Sequence, residues 1–172
     1  MRRHAGPFSV TVNSKDVAEP TLERDRDAEI YERHADELVR FASGLVGPSD
    51  AADVVSAAVL RCITSKNWAH VTNHRAYMYR AVANEANSQY RSAMRRRARE
   101  IRTADRPVEQ PEVRPEVLDA VGRLSVRQRA VVYLAYWEDL DETGISERLG
   151  ISAGSVRRHL FRGREKLREL LA

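Results

Sequence analysis

The chain has 172 residues, of which 42% are hydrophobic and 31% charged, and its net charge is +4. These values predict a globular, soluble chain with one medium domain or two small ones, and they fit a polyanionic partner. No apolar run is long enough to cross a bilayer. The single cysteine, Cys62, excludes an intramolecular disulfide, and with no signal-peptide pattern at the N-terminus it favours a cytoplasmic location.

The first two-thirds of the chain predict a leader and a three-helix domain. Residues 1–26 mix charged residues with glycine and proline, which is typical of a flexible leader, and residues 27–102 form the first domain. Its first helix starts near Glu29 and ends at Gly47-Pro48, and the second starts at Ser49 or Asp50. A polar loop over residues 64–72 contains a tryptophan, and the third helix begins near Asn73 and ends in the basic run QYRSAMRRRAREIR.

A linker separates this domain from a second one. Residues 103–115 contain three prolines and no hydrophobic periodicity, which indicates a flexible linker, and residues 116–172 form the second domain. Pro115 suits the first position of a helix, and Ser125 with Gln128 forms a predicted capping box for the next. No strand pattern occurs, so the predicted fold is all-α, with two small helical domains joined by a flexible linker.

The end of the second domain predicts a helix-turn-helix. Asp141 can cap a short helix, Gly150 can end it in a left-handed conformation, and Ser152 can cap the next helix. That last helix carries an inward apolar stripe of Val156, Leu160 and Leu167, while its arginines face outward. A basic helix alone would more often be a solvated surface, but one preceded by the turn ISERLGIS indicates a recognition helix for the DNA major groove.

Both domains, in this order, resemble the extracytoplasmic-function (ECF) group of bacterial RNA polymerase sigma factors. The resemblance covers about Ala28 to Leu171 and rests on three segments. They are AADVVSAAVLRC, similar to the polymerase-binding helix; AYMYRAVANEANSQYRSAMRRR, similar to the promoter −10 helix; and RLSVRQRAVVYLAYWEDLDETGISERLGISAGSVRRHLFRGREKLRELL, similar to region 4. The resemblance implies transcription initiation, with core RNA polymerase and promoter DNA as partners and an anti-sigma factor as a further possible partner.

The resemblance also implies three groups of site residues. For the −35 element these are Ser152, Ser155, Arg157, Arg158, Arg162 and Arg127. For the −10 element they are Lys66, Trp68, Tyr77, Tyr79, Arg80, Asn84 and Arg91, and for core polymerase Asp53 and Arg61.

The chemistry of promoter opening agrees with the −10 group. Capturing unstacked bases requires a polar loop, aromatic rings for stacking and cations along the backbone, and the loop at residues 66–68 and the helix after it supply all three. For Trp68, Tyr77 and Tyr79, however, packing in the core is an equally good interpretation. Asn84 could simply face solvent, but the resemblance favours a contact with a base or the DNA backbone.

Two other functions fit the sequence less well. The segment VRRHLFRGREKL also suits a response-regulator-type (LuxR-like) regulator, but that class needs an α/β receiver domain and the sequence shows no strands. A metal-dependent enzyme would have to use Cys62, His70 and His74, a weak pattern, and no nucleotide-binding or catalytic motif is present. We therefore expect a protein that is not an enzyme and has no cofactor or metal.

Overall fold

The computed structural model describes residues 24–100 and 115–172, and within these ranges the regular structure is helical without any strand. The all-α prediction is thus confirmed. The helices are α1 (residues 24–32), α2 (Ala35–Val46), α3 (Pro48–Ile63), α4 (His74–Glu100), α5 (Pro115–Gly122), α6 (Val126–Tyr136), α7 (Glu142–Leu149) and α8 (Ala153–Leu171). Among the described helices, none combines the length and apolar character needed to cross a bilayer.

Helices α1 to α4 form an N-terminal bundle whose local structure departs from prediction at three points. The predicted first helix is interrupted at residues 33–34, so α1 and α2 are separate. Helix α3 starts at Pro48, earlier than predicted, because proline at the first helical position already has the helical φ angle. The loop after α3 is not wholly polar surface, because Trp68 starts a short 3₁₀ turn and is only 6% exposed.

Helices α5 to α8 form the C-terminal part, and its predicted caps are confirmed. Pro115 opens α5, and Ser125 and Gln128 form a reciprocal capping box at the start of α6. The Asp141 carboxylate accepts a hydrogen bond from the Gly144 N–H at 2.7 Å. The predicted leader lies outside the described residues except for residues 24–26, which are helical, and the predicted linker lies outside them except for Pro115.

The two parts pack against each other and share one hydrophobic core. Helix α2 contacts α6, and α4 contacts both α6 and α7. At the centre of this contact, the Phe41 ring lies 4.8 Å from the Tyr79 ring and 5.5 Å from the Tyr133 ring, measured between centroids. Each fully buried aromatic or aliphatic side chain contributes about 1.5–3 kcal/mol to folding, so this contact is a substantial part of the folded state.

Candidate nucleic-acid interface

Hydrogen bonds within the turn fix the geometry of the helix-turn-helix. Gly150 ends α7 with φ of 62°, a left-handed conformation that glycine adopts without steric cost. The Ser146 hydroxyl donates to the Ile151 carbonyl at 2.6 Å, and the Ile151 N–H returns a bond to the Ser146 carbonyl at 3.2 Å. Sequence reasoning missed Ser146, since its role becomes visible only once the turn closes. These bonds fix the angle at which α8 leaves α7.

Helix α8 presents two different exposed flanks. Its buried side carries Val156 and Leu160. At about 100° per residue, Ser155, Arg158 and Arg162 fall within about 60° of each other on one flank. Arg157 falls on the other flank, and its guanidinium donates to the Glu142 carboxylate at 3.0 Å. The structure therefore separates Arg157 from the rest of the predicted −35 group.

Positive charge is concentrated on the first flank. We call this surface the basic flank and define it by Arg127, Ser155, Arg158, His159 and Arg162. Burial lowers the pKa of His159, and the nearby charges of Arg127, Arg158 and Arg162 lower it further. Arg127 belongs to α6, which packs against α8. His159 was missed by the sequence prediction, and the basic flank is a surface on which phosphates would relieve charge repulsion.

The start of α8 is ordered by its cap. The Ser152 hydroxyl accepts a hydrogen bond from the Ser155 N–H at 3.2 Å, and it also bonds the Ser155 hydroxyl at 3.0 Å. The Arg158 guanidinium donates to that Ser155 hydroxyl at 3.3 Å. Ser152 thus orients the first turn of the helix, and Ser155 orients Arg158 toward the basic flank.

The second flank of α8 borders a groove that contains an exposed aromatic ring. The groove is lined by Tyr136, Leu140, Leu160 and Phe161, and Phe161 is 62% exposed. The Arg164 guanidinium donates to the Tyr136 hydroxyl at 2.6 Å. The groove is also lined by charged residues of both signs: Asp141, Glu142, Arg157, Arg164, Glu165 and Arg168. This flank therefore mixes carboxylates with its arginines, whereas the basic flank brings arginines together.

In the N-terminal bundle, several predicted −10 residues come together in one open cleft between α3 and α4. The cleft has a volume of about 240 Å³ and is lined by Arg61, Cys62, Tyr77, Arg80, Ala81 and Asn84. The Arg80 guanidinium carbon lies 5.7 Å from the centre of the Tyr77 ring, a cation–π contact. Arg61 forms a 2.6 Å ion pair with Glu85, which is only 7% exposed. Arg91 lies on the same side of α4, seven residues beyond Asn84, and is exposed.

Two rings predicted to stack on bases are buried. The Trp68 indole N–H donates to the Asp27 carboxylate at 2.7 Å, and its ring lies 4.5 Å from that of His74. Tyr79 is fully buried, and its hydroxyl donates to the Glu138 carboxylate at 3.2 Å. In this conformation both rings pack the core, so their predicted contact with DNA would need their faces to be uncovered. Lys66, in the same loop as Trp68, is exposed.

The predicted polymerase contacts lie apart on α3. Asp53 and Arg61 are eight residues apart, about 12 Å along the helix. Asp53 is exposed, whereas Arg61 leans into the cleft toward Glu85. Leu60, which sequence reasoning missed, is 59% exposed and lies on the same side of α3 as Asp53.

The fold and this interface define a DNA-binding protein with an arginine-rich helix-turn-helix, and comparisons with known proteins give its family. Residues 114–167 match the family described as "Sigma-70, region 4". The RNA polymerase sigma-E factor of Streptomyces antibioticus is 33% identical over 154 residues, which cover 83% of each chain. The sigma-E factor of Streptomyces coelicolor is 33% identical over 147 residues, covering 79% of this chain and 80% of that one. The chain belongs to the ECF group of RNA polymerase sigma factors.

A solved structure shows the same fold. The sigma factor RpoE from Bartonella quintana, crystallised with the anti-sigma factor NepR, is 22% identical and superimposes with a TM-score of 0.55. The match covers 86% of this chain and 97% of that one. The response-regulator alternative is not favoured, because that class needs a receiver domain with strands, and none occurs in residues 24–100 or 115–172.

Proposed function

We propose that this sigma factor recognises the −35 element with the basic flank of α8 and captures the opened −10 strand along α4. As a member of its family, the protein binds core RNA polymerase and directs it to promoters. It acts as a regulator of initiation and is not itself an enzyme, since bond formation in transcription belongs to the polymerase. We place it in the cytoplasm, where bacterial polymerase and chromosomal DNA meet.

The observation that carries the −35 proposal is the convergence of three arginines on His159. Arg127, Arg158 and Arg162 all lower the pKa of that side chain, although they come from two helices. Like charges lie close together on this surface, and a bound anion would reduce their mutual repulsion. Arginine at the start of a recognition helix can also bond a guanine edge with two hydrogen bonds.

The −10 proposal rests on the chemistry of the cleft between α3 and α4. Tyr77 supplies a ring, Arg80 and Arg61 supply positive charge, and Asn84 supplies both a donor and an acceptor on an exposed amide. A single strand needs stacking and backbone neutralisation together. Lys66 and Arg91 extend the positive charge beyond the two ends of the cleft.

For core polymerase we propose a contact on α3 centred on Asp53. The exposed Leu60 lies on the same side of the helix and adds apolar area to that contact. Arg61 is committed to Glu85, so we expect it to act mainly on the cleft and less on polymerase.

The test is transcription in vitro with purified core polymerase on fragments of the source genome, with start sites mapped. We expect initiation at a small set of sites that share sequence upstream. Arg158→Ala and Asn84→Ala should each reduce initiation, whereas Arg123→Ala, which removes an exposed charge outside both surfaces, should not. Initiation at random positions, or the same loss for all three variants, would contradict the assignment.

A further inference from the structure

Helix α1 carries none of the residues assigned above to the promoter, yet it is joined directly to the loop that carries Lys66. The Asp27 carboxylate of α1 accepts the hydrogen bond from the Trp68 indole N–H at 2.7 Å, across 41 residues of sequence. That N–H is the only polar group of the tryptophan side chain, which is 6% exposed. Asp27 therefore satisfies a donor that would otherwise be buried without a partner.

The Trp68 ring in turn contacts α4. Its centroid lies 4.5 Å from that of the His74 ring, in an edge-to-face arrangement, and 6.0 Å from that of the Tyr77 ring. Tyr77 lines the cleft between α3 and α4, where the Arg80 guanidinium lies over its ring. A continuous series of contacts therefore runs from Asp27 of α1, through Trp68, to the aromatic ring of the cleft.

The loop has a second attachment, on the other side of its exposed residues. The Tyr77 hydroxyl donates to the Ser65 hydroxyl at 3.3 Å. The Trp68 backbone N–H donates to the Ser65 carbonyl at 3.0 Å, which closes a turn over residues 65–68. Lys66 and Asn67 lie inside this turn and are exposed. Their position is therefore set from both ends of the turn, by α4 at Ser65 and by α1 at Trp68.

We propose that Asp27 is a positioning residue for capture of the opened −10 strand. By holding Trp68, it orders the turn that presents Lys66 and supports the ring of Tyr77. Asp27 acts through Trp68 and does not itself bind DNA, because its carboxylate repels phosphates. The proposal rests on the function proposed above, since Lys66 and Tyr77 are assigned there to the −10 strand.

An open pocket lies beside the hydrogen bond between α1 and the loop. Its volume is about 150 Å³, and residues of both α1 and the loop line it, among them Arg26, Asp27, Lys66 and Trp68. Because this space is open, packing contributes less to holding the turn against α1, and the hydrogen bond contributes correspondingly more. A bond from a buried donor to a charged acceptor is among the stronger hydrogen bonds in proteins. If its loss leaves the turn in the capturing conformation about one-tenth of the time, the apparent affinity for the strand falls about tenfold.

Four variants isolate this hydrogen bond. Asp27→Ala removes the acceptor, whereas Asp27→Asn keeps a side-chain oxygen that can accept the same bond. The matched control is Asp25→Ala, which removes an exposed carboxylate from the same helix. Trp68→Phe removes the donor and keeps an aromatic ring. If Asp27 acts through this bond, Asp27→Ala should add little to the effect of Trp68→Phe when the two are combined.

Quenching of tryptophan fluorescence by acrylamide reports the exposure of Trp68 directly. The chain has two tryptophans, and the other, Trp137, is 80% exposed, so the measurement uses a Trp137→Phe background. We expect weak quenching in the parent protein, in Asp25→Ala and in Asp27→Asn, and stronger quenching in Asp27→Ala. Unchanged quenching in Asp27→Ala would overturn the proposal, because the turn would then not depend on this carboxylate.

DNA binding by the holoenzyme, assembled from the full chain and core polymerase, gives the second readout. Two probes are compared: a single-stranded oligonucleotide with the −10 sequence of a mapped promoter, and a duplex with its −35 element. Asp27→Ala should weaken binding of the single strand about tenfold and leave binding of the duplex unchanged. Asp27→Asn should restore most of the single-strand binding, and Asp25→Ala should match the wild type. Thermal melts of the free proteins show how much stability each variant loses.

The two probes distinguish a positioning role from general destabilisation. Equal losses on both probes would overturn the proposal, because a merely destabilised protein weakens both. So would normal single-strand binding by an Asp27→Ala protein whose Trp68 is more exposed, and the proposed −10 function would then still stand. If the wild-type holoenzyme binds the −10 strand no better than a scrambled sequence, the proposed −10 function fails instead. Fluorescence quenching would still decide whether Asp27 orders the turn.

Discussion

At the scale of single residues, the two neighbouring arginines of the recognition helix should behave differently. Arg158 lies on the basic flank, whereas Arg157 is paired with Glu142 on the other. If Arg158 bonds a base, Arg158→Ala should weaken promoter recognition by about 1–3 kcal/mol and relax the preference at one −35 position. Arg157→Ala should have a smaller effect, because exposed ion pairs contribute little.

The measurement for these two variants is initiation from a library of promoters randomised at the −35 element. A uniform loss across all sequences with a shallower salt dependence would identify Arg158 as a phosphate contact instead. If Arg157→Ala relaxes the sequence preference and Arg158→Ala does not, then α8 turns its other flank, and not the basic flank, toward the bases.

Substitutions of Trp68 and Asn84 should distinguish a loss of stability from a loss of promoter opening. Trp68 is 6% exposed and hydrogen-bonded to Asp27, so Trp68→Ala should lower the free energy of unfolding by about 3 kcal/mol. Asn84 is exposed, so Asn84→Ala should leave stability unchanged and impair opening. Thermal melts and permanganate reactivity of −10 thymines measure the two effects. Normal opening by Asn84→Ala would remove the cleft from the mechanism.

His159 should make DNA binding depend on pH. Burial and three arginines lower its pKa below the ordinary value of 6.5, so the folded state favours the neutral ring. The neutral ring is therefore compatible with full stability of the folded state above pH 6.5. Below that pH the unfolded state takes up the proton more readily, so this stability is lost as the pH falls through the lowered pKa of His159. Bound phosphates should raise the pKa again, so DNA binding should take up a proton. NMR titration of the His159 ring with and without duplex measures this, and His159→Gln should abolish the proton uptake.

At the scale of helices, the elements that sequence predicted best are those determined by local chemistry. The caps at Ser125, Asp141, Gly150 and Ser152 each satisfy backbone groups within a few residues, so their spacing alone reveals them. The interruption of the predicted first helix at residues 33–34 was missed. At this interruption the His34 side chain lies 2.7 Å from the Glu37 carboxylate. The Glu37 carboxylate also accepts a hydrogen bond from Arg75 of α4. That partner is 38 residues away, so sequence spacing does not reveal it.

The cap of the recognition helix can be tested by itself. Ser152→Ala should destabilise the protein by about 1 kcal/mol, whereas Ser152→Gly should cost only a few tenths, because glycine is tolerated at this position. Urea unfolding measures the difference. If Ser152 only positions the helix, the loss of DNA binding affinity should be larger in Ser152→Ala than in Ser152→Gly, as the loss of stability is. Equal losses of binding in the two variants would show that the hydroxyl contacts DNA directly.

At the scale of the whole molecule, the sequence predicted two parts but not how they pack. Each part has its own apolar stripes, which the hydrophobic periodicity shows, but Tyr79 and Glu138 are 59 residues apart and no spacing rule joins them. The same limit applies to the site. The outward arginines of α8 could be predicted from helix geometry, whereas the burial of Trp68 and the approach of Arg127 to His159 depend on packing between helices.

The packing of the two parts also bears on how strongly the free protein binds promoters. Two binding surfaces gain from each other only when their spacing matches the spacing of their targets. Here Arg80 and Asn84 of the −10 group line the same small cavity as Arg127 of the −35 group. The free protein should therefore use at most one surface at a time and bind a complete promoter no better than a −35 duplex alone. Core polymerase, which would hold the parts at the spacing of the promoter, should strengthen binding to the complete promoter far more than to the −35 duplex. Fluorescence anisotropy with both duplexes, at matched salt because phosphate contacts are salt-dependent, measures the comparison. Tight, sequence-specific binding of the complete promoter by the free protein would mean that the two parts already adopt the spacing of the DNA.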